Sequence, residues 1–231
     1  MQRLFAVSVA TALSVACSCS PQPSPGDAGE LETSAAAEPT RSQDSTVRAY
    51  DCGNELYVVA EFRPATDDVW LFLPWKSDSL PHIPSASGAK YDDGETTFWT
   101  KGDKASLKTG EGVEQSCVEN RRRSIVESAK LRGNDYWATG NEPGWSLELG
   151  PERMVFVTDY GESRYEAPTP EPASDSSSRT TTWSSIADGH DLVVTIRGES
   201  CADTMSDETF ESRVEVRLDD RVFSGCGQAL H

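Results

Sequence analysis

Short apolar runs separated by turn residues fill the first half of the chain after residue 47, at 56–62, 69–73 and 96–99. In the first run, apolar side chains occupy every second position, Leu56, Val58 and Ala60, which is the period of a strand with one face on a core. Residues 64–68 and 92–94 carry the proline, aspartate and glycine typical of turns. The pattern predicts an all-β domain over residues 48–120. We expect a small antiparallel β-barrel, since closure removes exposed strand edges.

The second half repeats this pattern, with apolar runs at 145–149, 154–157, 192–197 and 213–218. The last two alternate apolar with polar positions, which indicates strands with one wet face. Asp188 and Gly189, just before the run at 192–197, are predicted to form a hairpin turn. Residues 166–182, rich in Pro, Ser and Thr, are expected to form a long surface loop. We therefore predict a second β-rich domain over residues 134–231.

The first 16 residues have the character of a secretory signal: one arginine near the start, a short apolar segment, and small residues before a cysteine. The apolar run is too short to cross a bilayer, which takes about 20 residues. Cysteine at the cleavage point suggests a lipoprotein in which Cys17 is acylated, with Cys19 as the alternative. Cys17 follows the small Ala16 but its choice leaves Cys19 unpaired. Cys19 restores an even cysteine count but places Ser18 and Cys17 before the cleavage point.

Residues 17–47 consist mostly of Pro, Ser, Ala, Asp and Glu with few large apolar side chains. Such a segment cannot bury enough surface to offset its conformational entropy, so we expect a flexible tether. Residues 121–133 are expected to be a linker between the two domains. The run Arg121 to Arg123 within it is either a basic contact patch or a solvated linker, and the acidity of the chain favours the linker.

The formal charge of the chain is −17 and its isoelectric point is about 4.5. Like charge repels nucleic acid and anionic membrane surfaces, which argues against both as partners. The charge is compatible with a basic partner, although many acidic proteins are acidic only for solubility.

Four further cysteines fall two and two into the separate halves of the chain, Cys52, Cys117, Cys201 and Cys226. In an exported protein they suggest disulfides, and pairing within each half gives Cys52 with Cys117 and Cys201 with Cys226. A metal site is not expected, because the chain lacks a Cys-x-x-Cys motif and has only His82, His190 and His231 to contribute.

Fourteen positions separate Ser87 from Lys101, and the residues around both are distinctive. Ser87 lies in the small-residue stretch Ser85-Ala86-Ser87-Gly88-Ala89-Lys90-Tyr91, which suits a tight turn that presents a hydroxyl. Lys101 follows Phe98-Trp99-Thr100 and precedes Gly102, so that an aromatic strand end would let an ammonium project.

These two motifs resemble those of the bacterial MliC-type inhibitors, the membrane-bound lysozyme inhibitors of C-type lysozyme. The resemblance covers about residues 48–120, including Tyr50-Asp51-Cys52 and Cys117. It implies that Ser87 and Lys101 enter the lysozyme cleft and contact its catalytic carboxylates. Ser85, Gly88, Tyr91 and Gly102 are expected to shape the loop, and Phe98 and Trp99 to belong to the core. The family inhibits without a cofactor.

The second half resembles an uncharacterised domain of bacterial envelope lipoproteins, through residues 138–145, 201–206 and 224–227. This implies a compartment and a fold class but no activity. Asp203, Asp207 and Glu208 near Cys201, or Glu142 beside Trp145, could be imagined as paired catalytic acids, yet such proximity is expected by chance in so acidic a chain. No common hydrolase, phosphate-loop or zinc-helix motif occurs.

The sequence therefore predicts an outer-membrane lipoprotein, facing the periplasm, that inhibits C-type lysozyme and is not an enzyme. The alternative is an envelope lipoprotein whose β-rich module binds another ligand or has a structural role, with the motifs serving only the fold.

Overall fold

The computed structural model describes residues 45–53, 55–110, 112–203, 205 and 208–231. The predicted signal peptide, Cys17, Cys19, most of the predicted tether and Asp207 lie outside these residues. No helix in the described part of the chain has the length and apolar character needed to cross a bilayer.

Eight antiparallel strands in sequence order form a closed barrel. They are β1 (Thr46–Cys52), β2 (Tyr57–Arg63), β3 (Asp68–Leu73), β4 (Lys76–Ile83), β5 (Ala89–Asp92), β6 (Thr96–Lys101), β7 (Lys104–Thr109) and β8 (Gln115–Glu119). The barrel closes where β1 pairs with β8, and Cys52 lies directly opposite Cys117 in that pair. A disulfide joins them. The predicted all-β fold and small antiparallel barrel are confirmed, although β1 begins within the segment assigned to the tether.

The barrel core is built from the inward positions of these strands. Its fully buried large side chains include Tyr50, Val58, Leu71, Leu80, Phe98 and Leu107. The alternation expected for β2 is only partly right, because the outward-facing Val59 is also buried. Val59 pairs with Ala49 of β1, and the outer face of β1 is covered by a helix.

That helix, α1 (Arg121–Leu131), replaces the linker expected over residues 121–133. Its first turn is capped by Asn120, whose side-chain oxygen accepts the Arg123 N–H at 3.0 Å. No glycine or proline interrupts residues 121–131, and Gly133, with a φ of +80°, follows the helix end. The cap and this favourable composition allow a short helix where the charge run alone suggested solvated chain.

Helix α1 is fixed to both neighbouring domains. On the barrel side, the Ser124 Oγ accepts the Ala49 N–H at 2.8 Å, and Arg123 pairs with Asp51 at 2.9 Å. On the other side, Arg122 pairs at 2.7 Å with Asp203, which is buried. The expectation of a solvated linker is therefore wrong, since three of the four arginines in residues 121–133 form ion pairs with the adjoining domains.

The second half forms a nine-stranded antiparallel sheet that curls around its own core. The strands are β9 (Tyr136–Asn141), β10 (Gly144–Leu149), β11 (Arg153–Thr158), β12 (Ser163–Pro168), β13 (Ala173–Asp175), β14 (Thr180–Ala187), β15 (His190–Arg197), β18 (Ser212–Leu218) and β19 (Arg221–Ala229), and a separate pair is formed by β16 (Cys201–Ala202) and β17 (Thr209–Phe210). The sheet order is β12-β11-β10-β9-β19-β18-β15-β14-β13. Edge strand β12 lies beside β14, and the Glu166 N–H donates to the Asp188 carboxylate at 3.3 Å. The β-rich character predicted for this half is confirmed.

Two local predictions in this half have opposite outcomes. The hairpin at Asp188 and Gly189 is confirmed: both have positive φ, and Ala187 pairs with His190 across the turn. The prediction of a long surface loop over residues 166–182 is wrong, because this segment contains the end of β12, all of β13 and the start of β14. The serine and threonine side chains of β13 and β14 are exposed or only half-buried, so these strands lack the apolar alternation by which strands are predicted.

The second predicted disulfide, Cys201 to Cys226, is present. It belongs to a small separate core with Ala129 of α1, Trp137, Phe210 and Leu230. This cluster packs the helix against the outer side of the nine-stranded sheet.

Candidate functional site

Adjacent strands β5 and β6 bring the two sequence motifs together. Ala89 pairs with Thr100 in their register, so the preceding Gly88 lies beside Lys101. Gly88 has a φ of +68°, and an added Cβ would lie 2.1 Å from the Thr100 carbonyl oxygen and 3.2 Å from the Lys101 Cβ. Only glycine allows this approach. The backbone of the serine turn therefore lies in close contact with the end of β6, which carries Lys101.

Hydrogen bonds hold the serine turn in place. The Ser85 hydroxyl donates to the carbonyl oxygens of Ser87 at 3.2 Å and Gly88 at 3.0 Å. The Trp99 indole N–H donates to the Ser87 carbonyl oxygen at 2.8 Å. The Ser87 hydroxyl itself has no hydrogen-bond partner within the described part of the chain, so it is available to another molecule.

Lys101 is exposed at the end of β6 and pairs across the turn with Lys104. Its ammonium forms no ion pair with any residue the structure describes. Arg48 holds the turn between Lys101 and Lys104: its guanidinium donates to the Gly102 carbonyl oxygen at 3.2 Å and pairs with Glu119 at 3.3 Å. Gly102 has a φ of +64°, as a two-residue hairpin turn requires. Lys101 thus presents an ammonium without an ion-pair partner among the described residues, next to a turn that the Arg48 hydrogen bond holds in place.

Trp99 lies on the outer face of β6 and is 39% exposed, whereas Phe98 is fully buried. The expectation that both belong to the core is right for Phe98 and wrong for Trp99. Adjacent residues of a strand face opposite sides, so the sequence itself held the signal that only one of them could be in the core. Lys90 lies directly opposite Trp99, which adds a second ammonium to this face.

Tyr91 of β5 faces the barrel core. It is buried, and its ring lies 5.8 Å from Phe62 and 5.4 Å from His82, measured between ring centroids. Burial raises the pKa of its phenol above the usual value, and the nearby carboxylates of Asp67 and Asp68 act in the same direction. Tyr91 therefore anchors the strand that follows the serine turn.

The other chemical candidates have structural roles or remain apart. Asp203 and Glu208 both pair with Arg122 of α1, at 2.7 and 3.3 Å. His82 lies near Asp67 and His190 contacts Asp219. Among the described residues, no three metal-binding side chains converge.

The fold and the site define a class: a small closed β-barrel with one disulfide, in which the serine turn and the end of β6 lie side by side. Residues 50–116 match the family described as "Membrane-bound lysozyme-inhibitor of c-type lysozyme". A curated relative, the membrane-bound lysozyme inhibitor of C-type lysozyme from Yersinia enterocolitica, is 41% identical over 64 residues, which are 28% of this chain and 54% of the relative. The chain thus spans about half of that relative's length. The resemblance to MliC-type inhibitors is confirmed over this segment.

No solved structure matches the chain.

Proposed function

We propose that the barrel inhibits C-type lysozyme by placing Ser87 and Lys101 in the catalytic cleft. The observation that carries this proposal is the contact of Gly88 with Thr100 and Lys101, which presents an unbonded hydroxyl and an unpaired ammonium from adjacent chain segments. The similarity of residues 50–116 to the inhibitor family supports the choice of target.

The chemistry of the target suits this pair. A lysozyme cleft holds a protonated glutamic acid and an ionised aspartate on either side of the scissile bond. The Lys101 ammonium would form charge-assisted hydrogen bonds with the ionised group, and these strengthen when the interface excludes water. The Ser87 hydroxyl can donate to, or accept from, the neutral acid. The inhibitor would then block the cleft and, at the same time, neutralise the negative charge of the catalytic aspartate.

Rigidity of the rim favours tight binding. The glycine contact, the Trp99 hydrogen bond and the Arg48 brace order the two segments before any partner arrives. Association then costs less conformational entropy than it would for mobile loops.

We further propose that the chain is a lipoprotein acylated at Cys17 or Cys19, anchored in the outer membrane and facing the periplasm. The signal-like N-terminus supports this location, and the matched family is described as membrane-bound. Separate Cys17→Ala and Cys19→Ala variants would be followed by mass spectrometry of the mature chain. Loss of acylation in one variant alone identifies the site, and an N-terminal fragment of the parent chain without any added acyl mass rejects lipidation.

Inhibition is tested with the whole chain in a cell-wall clearing assay with C-type lysozyme. We expect Lys101→Ala to lose inhibition by roughly a hundredfold, as for truncation of a buried interfacial charge. Lys108→Ala is the matched control, since it removes one exposed ammonium from β7 opposite Thr97, away from the turn. Equal potency of both variants would reject cleft insertion. Absence of inhibition by the parent chain would favour the alternative, a binding or structural module.

A further inference from the structure

A pocket of about 420 Å³ opens at one end of the nine-stranded sheet, away from the barrel motifs. It lies between the β10–β11 turn and the segment 169–172, which connects the edge strands β12 and β13. Pockets of about 300–1,000 Å³ are the usual size for small organic ligands. The residues that line this pocket do not include Ser87, Lys101 or any other residue of the two barrel motifs.

The floor of the pocket is apolar and includes an aromatic ring. Trp183 and Ile196 are half-buried and pack on the core of the sheet, and Leu149 and Tyr136 complete the floor. The Tyr136 hydroxyl is already hydrogen-bonded to the buried Ser212 at 2.5 Å. The floor therefore offers mainly apolar contact and the Trp183 ring.

The rim of the pocket is held in a fixed position. The Thr169 N–H donates to the Glu152 carbonyl oxygen at 3.0 Å, and its hydroxyl donates to the Gly150 carbonyl oxygen at 2.8 Å. Pro170 and Pro172 on either side of Glu171 restrict the backbone further. The pocket is thus formed before any ligand binds.

The charged residues that line the pocket are both acidic. Asp135 and Glu171 are exposed and line the pocket, and neither forms an ion pair with the residues the structure describes. In the same described part of the chain, no lysine, arginine or histidine lines it. Two unpaired carboxylates that line the same pocket as an indole attract a cation, and a cation placed over the ring face gains further.

We propose that this pocket binds a small organic cation with an apolar body, such as an aryl or alkyl group that carries an ammonium. The apolar part contacts Trp183 and Ile196, and the ammonium lies near Asp135 and Glu171. This site is independent of lysozyme inhibition.

The proposal is tested by isothermal titration of the whole chain with naphthylmethyl-trimethylammonium, with naphthylacetate as the anionic counterpart. We expect saturable one-site binding of the cation, at least about tenfold weaker binding of the anion, and weaker cation binding at high salt. Trp183→Leu should weaken cation binding roughly tenfold. Trp75→Leu is its control, because Trp75 is an exposed tryptophan of the barrel.

A second variant keeps the test decisive if Trp183→Leu fails to fold. Asp135→Asn combined with Glu171→Gln changes only exposed side chains and should also weaken cation binding about tenfold. Glu114→Gln with Glu162→Gln removes the same charge elsewhere and should leave binding unchanged. Absence of saturable binding, equal binding of the anion, or equal effects of the two charge variants would overturn the proposal. Lysozyme inhibition should be the same in all these variants, so failure here is distinguishable from failure of the proposed function.

Discussion

The Trp99 indole nitrogen lies 2.8 Å from the Ser87 carbonyl oxygen and donates a hydrogen bond to it. This bond joins the outer face of β6 to the serine turn before β5, twelve positions earlier in the chain. We therefore expect Trp99 to position Ser87 relative to Lys101, in addition to its packing contacts.

Trp99→Phe removes this donor but keeps an aromatic ring. Loss of one hydrogen bond costs about 1 kcal/mol, so we expect lysozyme inhibition to weaken by roughly fivefold and the melting temperature to fall by only about 2–4 °C. Trp75→Phe, at the β3–β4 turn, is the control and should inhibit like the parent chain. An inhibition constant unchanged by Trp99→Phe would show that the bond does not position Ser87.

Gly88→Ala should disrupt the site through a direct clash. The new methyl group would meet the Thr100 carbonyl oxygen at 2.1 Å in a backbone conformation of positive φ. Relief requires β5 and β6 to move apart, so we expect loss of inhibition and a lower free energy of unfolding, by about 2–4 kcal/mol. Urea unfolding and the clearing assay measure the two effects.

Gly94→Ala separates the clash from the backbone conformation. Gly94 also has a positive φ, of +92°, but an added Cβ would meet nothing within 4 Å. It should lose only about 1 kcal/mol of stability and retain inhibition. If the two alanine variants behaved alike, the close contact at Gly88 would not be what holds the motifs together.

Arg122→Gln should weaken the attachment of α1 to the second domain. The change removes the ion pair with the buried Asp203 and the one with Glu208. We expect a loss of about 1–3 kcal/mol in unfolding free energy, measured by near-ultraviolet circular dichroism in urea. Arg121→Gln is the control at an exposed neighbouring position and should change stability by less than about 0.5 kcal/mol. Equal stability of both variants would mean that the ion pairs of Arg122 do not hold α1 to the second domain.

The buried Tyr136 predicts a dependence of stability on alkaline pH. Burial raises its pKa to about 12, against the partial opposing effect of the Ser212 hydrogen bond. Because the folded state holds the phenolic proton more tightly than the unfolded chain, this contribution is complete below about pH 10 and is lost as the pH rises towards 12. The stability advantage of the parent over Tyr136→Phe should therefore shrink between these values. A constant difference in unfolding free energy across that range would contradict the assignment.

The sequence was most informative where function depends on local order. Ser87 and Lys101 could be proposed as contact residues because each lies in a short motif with its own turn chemistry. Short apolar runs predicted β2, β3, β10, β15 and β18, and alternation within the run supported β2, β15 and β18. The adjacent residues Phe98 and Trp99 show how far strand alternation can predict the site. Alternation puts one of them outside, but the target of the indole N–H depends on the register of β5 with β6, which no local pattern contains.

Helix α1 and the strands of 166–182 were missed for a different reason. Residues 121–131 have a run of arginines, and their charge suggested solvated chain until the structure supplied Asp51 and Asp203 as partners. Strands β13 and β14 carry serine and threonine side chains that are exposed or only half-buried, so they lack the apolar alternation of the predicted strands. In both segments tertiary contacts, rather than hydrophobic period, determine the structure.

The central claim is most directly tested by a double-mutant cycle of binding affinity between Lys101→Met and a C-type lysozyme whose catalytic aspartate is replaced by asparagine. Binding rather than activity is measured, because the altered enzyme does not turn over substrate. If the Lys101 ammonium pairs with that carboxylate in the cleft, the two losses should fall short of additivity by at least about 2 kcal/mol. Losses that add to within about 0.5 kcal/mol would contradict the account.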